Sequence, residues 1–314
     1  MSIKFMYDLC SNYITHLYTL GNIGFEDPLY ENKYAFSINT AELNLLKQHK
    51  PLLQFSQGVN GLYAAVFYFI AAYNDLHNEK QWQDYFNAWN EQICNKNDSL
   101  IMPYFKNHYM GELYQQYQNV DLQEWQTTVT QIFNVFINNI STYQQRVYCK
   151  IETILAERCL ELNKQLLNID YITKWKHITH YKYPYNAYNV ALYYAGHSGP
   201  SWNNISLYKN TAYYNHNTEF MLDMISHELG IHVMITDLLP VMNDLKTKGY
   251  KHANVYYCFE MLATYYNTLV LNKQGADIYN EQCQEIVDFY KSQSNSKSYK
   301  PKELLIKAVK YFTE

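Results

Sequence analysis

The sequence predicts a predominantly α-helical α+β protein: a helical part over 1–168, then a second domain over 169–314 that carries a small β-sheet. Three observations lead there. Of the 314 residues 48% are hydrophobic and 17% charged, a globular balance with enough chain for one large core or two smaller ones. Apolar residues recur at helical spacing through the first half; Val147, Ile151, Leu155, Cys159 and Leu162 mark one such stripe. After Ile169 the pattern changes to short runs rich in tyrosine and β-branched residues, broken by Gly196, Gly199 and Pro200.

The spacing places helices near 2–20, 41–49, 58–77, 79–94, 100–118, 121–140 and 142–167, with breaks at Pro51 and Pro103. The stretch 20–41, with Gly21, Gly24 and Pro28, reads as a loop. Over 177–184 the chain is too short and too β-rich for a helix, and strands follow at 188–195, 204–209 and 211–214. A helix over 217–237 comes next. Asn217 suits its N-cap, Glu219 its positive end and Met221, Ile225 and Leu229 its core stripe, and Pro240 stops it. A second helix spans 255–271, and two more lie near 277–291 and 301–313.

The 34 tyrosines, amphipathic fillers of cores and half-wet clefts, fit a polar, aromatic-lined groove, or equally the codon bias of an AT-rich genome. A net charge of −4 and the lack of a basic stripe argue against nucleic acid as a partner. No stretch resembles a membrane span, since the most apolar run, 61–73, is too short. The first residues have no apolar core or cleavage site of a secretory signal, so a cytoplasmic protein is expected. Its six cysteines, far apart and without a C-x-x-C pair, are expected as buried or free thiols. Nucleophile elbow, phosphate loop and dinucleotide fingerprint are all absent from the sequence.

Inside the 217–237 helix stands His227-Glu228-Leu229-Gly230-Ile231-His232. Two imidazoles bracketing a carboxylate are the parts of a hydrolytic zinc site: histidines hold the ion and a glutamate beside it takes a proton from water. The usual spacing of four puts both histidines on one helix face. Five steps of about 100° separate them by roughly 140°, so a shared ion requires a π-type turn, and Gly230 is the residue there most tolerant of one. The 255–271 helix carries a single charge, Glu260, among apolar and aromatic neighbours. An unpaired carboxylate in such surroundings is costly, and a zinc ion is a suitable partner. His227, His232 and Glu260 are therefore the candidate Zn2+ ligands, with a fourth position left for water, and Glu228 is the candidate base.

Other residues carry weaker readings. The strand 204–209 is placed to pair with an extended peptide, and Lys209 is a candidate anchor for a substrate carboxylate. His177 and His180 face opposite sides of a strand and do not chelate together. His197 reads as a solvated turn residue, and His252, Tyr256 and Tyr257 as packing near Glu260.

HELGIH at 227–232 followed by FEMLA at 259–263 resembles the zinc metallopeptidases that carry H-E-[IL]-G-x-H and then Q-E-G-L-A. That family includes the microtubule-associated tyrosine carboxypeptidases and bacterial QEGLA-motif proteins. The resemblance implies a gluzincin-like catalytic domain, zinc on His227, His232 and Glu260, and Glu228 as base. It implies a peptide or protein substrate, through removal of a C-terminal aromatic residue or peptide maturation. It covers roughly residues 185–272 and departs in three places. Ile231 stands for the usual threonine, Phe259 and Met261 flank the second-motif acid in place of glutamine and glycine, and 233–235 holds no arginine. A reading from a different class is a non-catalytic helical protein that binds a partner through its aromatic surface. In that reading His227 and His232 point apart on a regular helix.

Overall fold

The computed structural model describes residues 2–56, 59–105, 120–197, 202–206, 208–273, 281–296 and 299–313. Helices dominate, beside a four-stranded mixed sheet and a two-stranded one, in keeping with the α+β class. The chain folds as two units, both discontinuous: Lys4–Lys164 with Asn189–Asn215, and Met1–Ile3 with Gln165–Tyr188 and His216–Glu314. The strands over 189–215 belong to the first unit and the motif helix to the second.

Residues 2–6 form strand β1 (Ser2–Met6), where the sequence predicts the start of a helix. The helices of the first unit are α1 (Leu9–Leu20), α2 (Pro28–Tyr34), α3 (Thr40–Gln48), α4 (Lys50–Leu53), α5 (Ala71–Asn74), α6 (Glu79–Asn95), α7 (Leu122–Glu124), α8 (Thr130–Tyr143) and α9 (Cys149–Leu166). A hairpin of β2 (Phe55–Ser56) and β3 (Val59–Asn60) lies among them. In the larger sheet, of order β1-β4-β6-β5, β4 (Ala187–Tyr193) runs parallel to β6 (Lys209–Tyr213), and β5 (Trp202–Ser206) antiparallel to it. Helix α2 falls in the expected loop, because Pro28 starts it and the Asp27 side chain caps it by accepting from Tyr30 N. Most of the helix expected near 100–118 lies outside the described residues.

Helix α1 is buried from Cys10 to Leu20, polar residues included, so each polar group needs a partner. The Asn12 amide donates to Leu192 O at 2.9 Å and accepts from Tyr194 N at 2.9 Å, which ties α1 to the end of β4. His16 sits between the Tyr30 hydroxyl, 2.8 Å from Nδ1, and Ser37 Oγ, 2.9 Å from Nε2. Ser37 gives its own proton to Tyr34 O, so it accepts from His16 Nε2–H while Tyr30 donates to Nδ1. That fixes one neutral tautomer, and burial lowers the pKa to about 3. Many of the tyrosines lie in the core. Tyr13 donates to Phe136 O at 2.7 Å and Tyr85 to Val66 O at 2.7 Å, so the rings fill space while a helix carbonyl takes the hydroxyl. Chain segments Ala65–Ile70, Trp125–Val129 and Gln144–Tyr148 are wound as π-helix.

The second unit holds α10 (Tyr171–Thr179), α11 (Thr218–Thr247), α12 (His252–Leu271), α13 (Glu281–Ser296) and α14 (Pro301–Thr313). Its first helix contradicts the β-rich reading of 177–184. Asp170 caps α10 by accepting from Thr173 N at 3.0 Å, Tyr171, Ile172, Trp175 and Thr179 are buried, and His180 ends the helix at φ 63°. Helix α11 is capped by Asn217 as expected but runs on through Pro240, its second half held by buried Val241, Met242 and Leu245. Helix α12 packs against all four others, and Tyr290 of α13 donates to Cys258 O at 2.8 Å. Among the described residues no helix is long and apolar enough to cross a membrane. All six cysteines are free thiols.

Candidate functional site

Helices α11 and α12 lie antiparallel, so that His227 faces Glu260 and, one turn earlier, Asp223 faces Asn267. His227 Nε2 stands 3.6 Å from Glu260 Oε2, an ion pair too long for a hydrogen bond, and both side chains keep a little exposure. Burial alone lowers the His227 pKa, but the carboxylates of Glu260, Glu228 and Asp223 outweigh it and hold the imidazole above its usual value. Glu228, the candidate base, is 8% exposed, on the side of α11 between the two histidines. Glu260 has thus found the partner that its apolar helix demands.

His232 does not join them. It is 4% exposed, with its ring edge-on to Tyr188 at 5.3 Å. The expected widening between the histidines is not found, since α11 is regular α-helix throughout, and the regular spacing turns His232 about 140° from His227. Among the described residues no three His, Cys, Asp or Glu side chains are gathered as a ligand group. Gly230 has a different role from the one its flexibility suggests. The Trp175 indole of α10 fills the place where a Cβ would be, and its Nε1–H donates to Ser226 Oγ at 3.2 Å. Glycine here permits close helix packing.

Donor chemistry and spacing still suit zinc at part of the site. Two donors on one tetrahedral zinc, each at about 2.0–2.1 Å, stand about 3.3 Å apart, close to the His227–Glu260 separation. Those two residues fit as they lie; His232 fits only if the turn between the histidines opens by one residue.

Near the pair, Asp223 accepts from Lys273 Nζ and from Asn267 Nδ2, both at 2.6 Å. Asp223 and Lys273 border a cleft of about 420 Å³ with Tyr171, Leu222 and Leu271. Asp223 was legible in principle, four residues before His227 and so on its face; Trp175 left no mark in the sequence. Lys209 is not a substrate anchor here. It is buried in the first unit, 3.1 Å from Asp8 Oδ2 and donating to Ala72 O at 2.8 Å. Burial alone lowers its pKa, yet the charges of Asp8 and Asp75 raise it. His197 packs its ring against Tyr213, Tyr257 meets Cys283 Sγ at 2.7 Å, and Tyr256, 45% exposed, lies against His252 and Phe259. No family model, curated protein or solved structure matches this chain.

Proposed function

We propose that the chain is a zinc-dependent peptidase whose metal is held by His227, Glu260 and His232, with Glu228 as the general base. The observation that carries this reading is the His227–Glu260 pair, an imidazole and the single charge of an apolar helix at nearly the separation of two donors on one ion. Zinc, when bound, supplies Lewis acidity for the scissile carbonyl and lowers the pKa of water toward about 7. The chain's own part is proton handling. Glu228, nearly buried on α11, takes the proton of the attacking water and passes it to the leaving amine. Peptide is the substrate class, cleaved at a C-terminal aromatic residue or within a precursor.

The regular α11 favours a second reading, in which His227–Glu260 is a structural ion pair between helices of a non-catalytic, partner-binding protein. Elemental analysis of protein purified without chelators separates the two. The peptidase reading predicts about one zinc per chain, lost in His227→Ala and Glu260→Gln. Glu228→Gln should keep the zinc while turnover of peptides falls by about 10²-fold or more. Metal-free wild-type protein would leave only the structural reading.

A further inference from the structure

We propose that Trp175 is a positioning residue for the His227–Glu260 pair; as far as it concerns zinc, this rests on the peptidase reading. Trp175 grips α11 at two points one turn apart. Its Nε1–H bonds Ser226 Oγ, and its ring occupies the Cβ place of Gly230. Both points lie within about 40° of each other round the α11 axis, and His227, next to Ser226, is about 80° from their midpoint. A helix of apolar side chains can rotate and slide; a hydrogen bond beside a missing Cβ cannot accommodate that. The ring must face Gly230, because every other residue on α11 presents a Cβ, and the indole N–H then sets the height. Fixing these two points fixes where His227 points.

The leverage is large. Side-chain tips lie about 5–6 Å from a helix axis, so a rotation of about 30° moves one by about 3 Å, more than a zinc–ligand bond. Such a rotation would carry His227 Nε2 away from Glu260, whose own helix is also held by α10, α13 and α14. Trp175 therefore sets which face of the motif meets α12. It touches neither the ion's place nor a substrate, and acts through Ser226 and Gly230.

The test compares Trp175→Leu, which loses ring and N–H, and Trp175→Phe, which keeps a ring but loses the N–H, with Met242→Ala. Met242 is a buried α11 residue outside this seat. Zinc affinity is measured by competition with a chromophoric chelator, at a temperature where circular dichroism shows every variant folded. Trp175→Leu should weaken zinc by about tenfold or more and Trp175→Phe by a few-fold, while Met242→Ala keeps wild-type affinity. Equal affinity in the Trp175 variants, or equal loss in Met242→Ala, overturns the proposal. A metal-free readout keeps it separate from the peptidase reading. His227→Ala, Glu260→Gln and their double variant form a denaturation cycle in the wild-type and Trp175→Leu backgrounds. The His227–Glu260 coupling should be measurable in the first and within error of zero in the second; unchanged coupling overturns the proposal even in a protein that binds no zinc. If Trp175→Leu does not fold, Trp175→Phe takes its place in both measurements, with the coupling reduced and not abolished.

Discussion

Glu260, partly exposed, and His16, fully buried, show two ways in which an inward-facing polar group is settled. Glu260 stands opposite an imidazole of the facing helix, whereas His16 gives up its charge and takes two hydroxyls. The second solution carries a pH dependence with a definite sign. The folded His16 pKa of about 3 lies below the usual imidazole value near 6.5. Its contribution to stability is therefore complete above about pH 6.5 and is lost as pH falls, at about 1.4 kcal/mol per unit until about pH 3. Urea denaturation should show a loss of about 2 kcal/mol from this residue between pH 7 and pH 5, absent from His16→Gln. A His16 ring signal that titrates between pH 5 and 7 in the native protein would contradict it. The role of Glu260 was legible because a lone charge in an apolar helix demands a partner. The reason for Gly230 was not: the indole that requires it lies 55 residues away in sequence, on a helix that local pattern hides.

At the scale of elements, caps and stripes were informative and composition misled. Asn217 caps α11, and the apolar stripe gave its buried face. The run at 177–184 looked β-rich, yet Asp170 had already started a helix upstream, and burial of Trp175 outweighs the propensity of threonine and isoleucine. Pro240 misled in the other direction. It lies on the exposed side of α11, where its missing N–H costs a hydrogen bond to Thr236 O but its ring meets little, and the buried residues beyond it carry the helix on. Pro240→Ala restores that bond, worth up to about 3 kcal/mol, while the looser unfolded chain offsets about 1 kcal/mol. A net gain of about 1–2 kcal/mol in urea denaturation is expected. Destabilisation would mean that α11 needs the proline to seat Val241, Met242 and Leu245.

For the whole molecule, the helical character and the small sheet were legible from periodicity, but chain ownership was not. A cut at 168/169 separates Asn12 from Leu192 and Asp8 from Lys209, contacts made by chain 180 or more residues away and invisible to local pattern. A fragment of residues 1–168 should therefore lack a cooperative thermal transition, because it strands a buried Asp8 and the open edge of α1. A sharp transition with native-like near-ultraviolet dichroism would show that the strands are dispensable.

Under the proposed function, His227 and Glu260 are two ligands of one zinc ion and His232 swings in as the third. Anomalous diffraction at the zinc edge, from crystals grown with and without zinc, tests it most directly. The expected result is one peak about 2.0–2.2 Å from His227 Nε2 and a Glu260 oxygen, with α11 widened between 227 and 232 and His232 moved off Tyr188 to complete the set. No peak at this pair, or zinc bound only elsewhere on the chain, would contradict it.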